Sequence, residues 1–140
     1  MANVYNKGKF GLTTGSILFL SDTIRAMLVT SAYTFDADHN YVSDVVANEV
    51  TNGGYVRQDL ATKTITEDDS LNRVVFDCDD PVFPSLAAGD TPDALIVYKF
   101  GTSDADSELI CYGQLVAPAS PAGADYTIVI DSAGLLYAGD

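Results

Sequence analysis

Apolar residues fall along this chain in short runs broken by Gly, Pro, Asn and Asp. Over residues 24–30, Ile24, Ala26, Leu28 and Thr30 alternate with Arg25, Met27 and Val29, the two-residue period of a strand, although Ala, Met, Leu and Arg also favour helix. Further strands are predicted over residues 55–60, 63–66, 73–77, 94–100, 108–116, 126–131 and 135–137, each bounded by polar or glycine-bearing breaks. Tyr41, Val42, Val45 and Val46 form a short helical stripe preceded by the capping candidates Asp38 and Asn40. Pro81, Pro84 and Pro92 make residues 81–94 a loop, with a bent edge strand at Val82 and Phe83; Pro118 and Pro121 mark a second loop. Seven or more short strands with this punctuation predict an all-β fold, a single-domain β-sandwich or partly open barrel with one short helix. Residues 1–20 are expected to be an extended N-terminal arm or a first strand, and residues 21–140 the β domain.

Composition supports a folded chain and removes several partners. Of 140 residues, 47% are hydrophobic and 19% charged, enough apolar surface to offset the entropy of ordering one domain. The formal net charge of −13 excludes nucleic acid, whose phosphates require clustered Lys and Arg. Residues 1–30 hold Lys7, Lys9 and Arg25 against Asp22, a net +2, which leaves −15 on the remainder. That asymmetry fits an N-terminal segment that meets an acidic surface, or simply an acidic solvated body. No apolar run has the length of a signal-peptide core or a membrane span, so no membrane partner is expected. Cys78 and Cys111 lie far apart in apolar runs without a CxxC, which favours free buried thiols over a disulfide.

The sharpest chemical candidate is the turn DADHN, because Asp36, Asp38 and Asn40 repeat the opening of a calcium loop. Tyr41 stands where that loop needs Gly and Ala47 where it needs Glu, which leaves a less regular cation site shared with Asp44, or a plain turn with side chains capping backbone donors. Glu67, Asp68 and Asp69, and again Asp77, Asp79 and Asp80, would suit paired-carboxylate hydrolysis of glycosides, but no Trp offers a sugar platform. His39, the one histidine, is expected to be an exposed turn residue, since no GxSxG elbow or placed cysteine accompanies it. With no P-loop, GxGxxG or zinc spacing either, no cofactor and no enzymatic activity are expected. Tyr33, Phe35 and Tyr41 bracket the acidic turn and are placed to pin it to the sheet.

The order of the segments YTFDADHNYVSDV, GYVRQDL, RVVFDCDDPVF, ALIVYKFGT, LICYGQL and DYTIVIDSAGLL resembles small virion structural proteins of tailed bacteriophages, over residues 24–136. Cys78 in FDCDD, where a small residue is more usual, and Pro84, where the segment is commonly polar, depart from that pattern. The resemblance implies a non-enzymatic particle component, foremost a capsid decoration or cement protein that binds the major capsid protein on the outer surface of the head. It implies assembly with copies of itself, a homotrimer being expected, after synthesis in the host cytoplasm. Residues 1–20 would then dock on the shell or a neighbouring subunit through Tyr5, Lys7, Lys9, Phe10 and Leu12. The alternative is a tail, baseplate or fibre-associated binding module.

Overall fold

The computed structural model describes residues 2–139. In chain order these form β1 (Asn3–Val4), α1 (Asn6–Thr14) and β2 (Ile24–Val29), then two single 3-10 turns, Val42–Asp44 and Val46–Asn48. There follow β3 (Gln58–Asp59), β4 (Thr64–Asp68), β5 (Arg73–Asp77), β6 (Val82–Phe83), β7 (Ala94–Lys99), β8 (Glu108–Gln114), β9 (Tyr126–Thr127) and β10 (Leu136–Gly139). Strands pair antiparallel in three sheets, ordered β1-β8-β7-β2-β3, β10-β5-β4 and β6-β9. The fold is all-β and sandwich-like, as the spacing of the runs predicts.

Both faces of the five-stranded sheet are covered, which is why β2, β7 and β8 read as nearly unbroken apolar runs. One face carries Ile24, Ala26, Leu28, Leu95, Val97, Ile110 and Cys111 against Phe83, Leu86, Ile128 and Leu136 of the smaller sheets and their loops. The other carries Met27, Val29, Ala94, Ile96, Tyr98, Leu109 and Tyr112 beneath Tyr5, Tyr33, Val42 and Val45. The odd and even positions of β2 therefore feed different cores. In β8 that alternation breaks at a bulge: Val97 faces Cys111 and Tyr98 faces Leu109, so Ile110 is the extra residue.

The bulge corrects the expectation of an extended arm. Tyr5 donates its backbone N–H to the carbonyl of Ile110 at 3.0 Å, just after β1 pairs Val4 with Cys111. Immediately beyond, α1 lies so close to β8 that a Cβ at Gly8 would stand 2.4 Å from the Ile110 carbonyl oxygen. The sequence NKGKFGLTT is a poor helix former, with two glycines in nine residues. It is helical here because those glycines, both buried, let the backbone seat on the sheet and on Ile17. Gly15, at φ +80°, ends the helix by donating to the Gly11 carbonyl. The chain then returns with Ile17 and Phe19 in the core and Leu18 and Leu20 outward.

Other differences are local. The helix expected at residues 41–46 is a pair of 3-10 turns, because the Asp44 carboxylate takes the N–H groups of Asn40 and Tyr41 at 2.9 and 3.0 Å and tightens the backbone there. Only Gln58–Asp59 of residues 55–60 pairs as a strand, since Tyr55 and Arg57 turn towards polar partners. Only Tyr126–Thr127 of residues 126–131 pairs, the Ile130 N–H being taken by the Asp80 carboxylate.

The contact at Gly8 has a sign that separates it from propensity. In an exposed helix Gly→Ala stabilises by about 1 kcal/mol. Here Gly8→Ala is expected to lower stability by roughly 1–3 kcal/mol, as overpacking does, in urea or thermal unfolding; a neutral or stabilising result would mean that α1 does not seat on the bulge.

Candidate functional site

The Asp-rich turn is held together by its own donors. Asp36 accepts the Asp38 N–H at 3.0 Å, Asp38 accepts from the Asn6 side-chain amide at 2.7 Å, and Asn40 donates to the Asp38 carbonyl at 3.0 Å. Asp44 faces the backbone of residues 40 and 41, whose N–H groups hold its carboxyl below the usual range. The four residues Asp36, Asp38, Asn40 and Asp44 thus act as separate ties, and among the described residues no three His, Cys, Asp or Glu side chains are grouped to hold a metal ion. The bond from Asn6 also fastens the turn to the start of α1, and the Asn6 N–H adds a bond to the Ala37 carbonyl at 2.9 Å.

His39 is not an exposed turn residue. Its ring is half-buried, with Nδ1 2.9 Å from the Tyr33 hydroxyl, which lies 3.0 Å from the hydroxyl of the wholly buried Tyr5. Phe35 packs on Tyr5 and Tyr112 at ring distances of 4.9 and 5.4 Å. Burial, followed by the Tyr33 bond, pushes the Tyr5 hydroxyl far above the ordinary tyrosine range, and burial raises Tyr33 as well. The chain of hydroxyls satisfies polar groups under the roof of the sheet. Nearby, the Ser107 hydroxyl bonds its own loop, and Cys111 packs in the core on the opposite face of the sheet.

A second polar device escapes the sequence reading. Arg57 forks to both oxygens of Glu49 at 2.7 Å and to Asp104 at 2.7 and 3.2 Å, with its guanidinium 5.7 Å from the Tyr98 ring. Glu49 also accepts from the Tyr55 hydroxyl at 2.7 Å, and that hydroxyl accepts the Leu28 N–H at 2.9 Å. One cation therefore joins Glu49, just after the Val46–Asn48 turn, to β2 and to the loop after β7. Arg57 and Glu49 are mostly shielded, so both charges depend on the pairing. The sequence signal was faint: one arginine in YVRQDL, among few cations in an acidic chain.

The remaining candidates disperse. Asp68 pairs with Arg73 and receives Ser70, Asp79 receives the Thr62 hydroxyl, and Asp80 caps Ile130, so these carboxylates hold separate turns. Both cysteines are free; burial pushes the half-buried Cys78 thiol up to about 12, helped by Asp77, Asp79 and Asp80, and raises that of buried Cys111. The chain matches no known family model and no curated protein sequence.

What remains is surface. Of the expected contact residues, Tyr5 is buried and cannot reach a partner, Lys7 is held 3.1 Å from Glu108, and Leu12 is partly buried against the core. Phe10 and Lys9 are exposed on the outer side of α1. Leu18 and Leu20 project beside it, and at the other end of the sheet a groove of about 760 Å³ opens beside the exposed Val116 and Val129.

Two measurements probe the polar devices. Arg57→Ala is expected to cost about 2–3 kcal/mol, since Glu49 is left shielded and unpaired while Asp104 regains water; Arg57→Lys recovers little of it, because one ammonium cannot fork to two carboxylates. Equal stability of wild type and Arg57→Ala in urea melts would show that the clamp contributes nothing. The raised Tyr5, Tyr33 and Tyr55 make the folded state hold these protons more tightly than the unfolded chain does. Their contribution is complete below about pH 10, the unfolded tyrosine value, and is lost as pH rises beyond it. Urea midpoints followed upward through about pH 10 should fall, and Tyr5→Phe should shallow that fall while lowering stability at neutral pH.

Proposed function

We propose that this chain is a non-enzymatic structural component of a tailed-bacteriophage virion, a decoration or cement protein that binds the assembled head. The observation that carries the reading is Phe10, 60% exposed on a helix that is locked to the sheet. An aromatic ring held on a rigid platform is the kind of group that dominates interface energetics, since little conformational freedom is lost when it docks. Lys9 stands next to it, and Lys7 lies 6.0 Å from its ring, so the anchor sits within the positive N-terminal segment of an acidic molecule. A partner surface with an apolar pocket and acidic rim suits that arrangement. The resemblance of residues 24–136 to phage virion proteins supplies the particle, and the major capsid protein is the proposed partner.

The docking mode differs from an arm that orders on binding. Here α1 is already formed, so the free protein presents its contact face preassembled. Phe10→Asp leaves the core untouched and is expected to keep the wild-type unfolding midpoint while abolishing co-sedimentation with heads purified from particles lacking this protein. Wild-type protein added to the same heads should restore resistance to heating. Binding of Phe10→Asp at wild-type strength would overturn the contact, and localisation of the protein to tails by electron microscopy would overturn the decoration role.

A further inference from the structure

Two strand-forming runs stop pairing at the same place. The residue pattern predicts strands as far as Val116 and Asp131, yet β8 ends at Gln114 and β9 at Thr127. Between these two ends lies the groove of about 760 Å³. Buried Leu95, Val97 and Ile128 line it, together with the fully exposed Val116 and the 78% exposed Val129.

The chain beyond β9 keeps the burial pattern of a strand, with Ile128 and Ile130 shielded and Thr127, Val129 and Asp131 exposed. Its backbone alternates as well. The Ile128 N–H donates to the Pro81 carbonyl at 3.0 Å and the Ile130 N–H to the Asp80 carboxylate at 2.7 Å, both on the side of β6. Successive N–H groups of a strand point to opposite sides. Those of Val129 and Asp131 therefore face away from β6, and neither has a partner among the described residues. Residues 127–131 thus form an open strand edge, roughly 16 Å long at ~3.3 Å per residue, beside an apolar hollow. Asp125 and Asp131 line that hollow, and no Lys, Arg or His among the described residues does. Each aspartate accepts one loop N–H, from Ser85 and Ala133, and neither is paired with a cation among the described residues.

We infer that this edge receives an extended segment of a different protein, added as a strand beside residues 127–131, with apolar side chains turned into the groove and Lys or Arg at the positions between. The open backbone edge selects the conformation, since only an extended chain can meet N–H and C=O groups at alternate residues. The hollow selects apolar residues on one face of that segment, and Asp131 favours a cation across from it on the other. A second copy of this chain does not meet those terms: β1, β3, β4, β6, β9 and β10 supply the sheet edges and hold no Lys or Arg, and two copies of net charge −13 repel. Phe10 and Lys9 do not line the groove. Strand addition here and head binding through α1 can therefore fail independently.

The test titrates the purified full chain with the capped peptide Lys-Val-Lys-Val-Lys-Val-Lys and follows amide hydrogen exchange by NMR. Exchange at Val129 and Asp131 should slow by about tenfold or more at saturation, with no change at Lys9 or Phe10. The same peptide N-methylated at every residue, which can donate no backbone hydrogen bond, should not bind, and the Glu-Val counterpart should bind at least about tenfold more weakly. Val129→Pro removes one edge donor at an exposed position and should weaken binding by a similar factor. Should that proline shift the thermal melt, Val129→Lys keeps the donor, sets a like charge beside the peptide and should weaken binding in the same direction. The inference is overturned if the Lys-Val peptide does not bind at about 1 mM, if the N-methylated or Glu-Val peptide binds equally well, or if protection falls on another edge such as β4. A wild-type dimer that Val129→Pro dissolves would give the edge to a second copy and overturn it too.

Discussion

The fold turns on one extra residue in β8. Antiparallel pairing with β7 runs evenly until the bulge, where Ile110 has no partner across the strand pair and Leu109 and Tyr112 come to face the same side. A regular strand would place residues three apart on opposite faces. The irregularity frees the Ile110 carbonyl, Tyr5 takes it, and Gly8 lets α1 close over the spot. From that contact follow the burial of the Tyr5 ring, the seating of Phe35 on it, and the attachment of the acidic turn through Asn6. A local defect in pairing thereby organises a second core.

That second core explains why polar groups occupy the roof. Residues 30–48 hold two 3-10 turns and one bridge, Tyr41 opposite Glu108, with single backbone bonds linking Asn40, Val42 and Ser43 to residues 104–109, so side chains share the work of fixing them on the sheet. The Tyr5, Tyr33 and His39 run acts from below, and Arg57 acts from the edge by holding Glu49 and Asp104 together. Carboxylates do much of the same work on a smaller scale. Asp106 accepts both backbone and hydroxyl donors of Thr102 and Ser103, bonds that draw its carboxyl down to about 2. Much of the acidity of this chain is thus structural, placed where loops lack other acceptors.

Legibility in the sequence followed the source of the ordering. β2, β7 and β8 were readable because their side chains are sorted between the two cores, and period and run length carry that information directly. Val82 and Phe83 were readable as an edge through the flanking prolines. α1 was not readable, since nothing in NKGKFGLTT favours a helix until the bulge offers it a surface, and the bulge itself leaves no mark in ELICY. Of the three aromatics expected to pin the acidic turn, Tyr33 and Phe35 pack on Tyr112 of β8 and Tyr41 bridges to Glu108 through its backbone, whereas the partners of Arg57 lie 8 and 47 residues away and belong to no local pattern. In DADHN, where Tyr41 stands in place of a turn glycine, Asp36 and Asp44 accept from backbone N–H groups of the turn and Asp38 from the Asn6 amide.

A sheet covered on both sides has a further consequence. With the interior filled above and below, the apolar side chains left to meet other molecules are surface ones, among them Phe10 on α1, Leu18 and Leu20 after it, and Val116 and Val129 beside the groove. None of Phe10, Leu18, Leu20, Val116 or Val129 is among the buried residues of either core. The parts that choose a neighbour and the parts that keep the chain folded are therefore nearly disjoint sets, and a lineage of such proteins could exchange one set while inheriting the other intact.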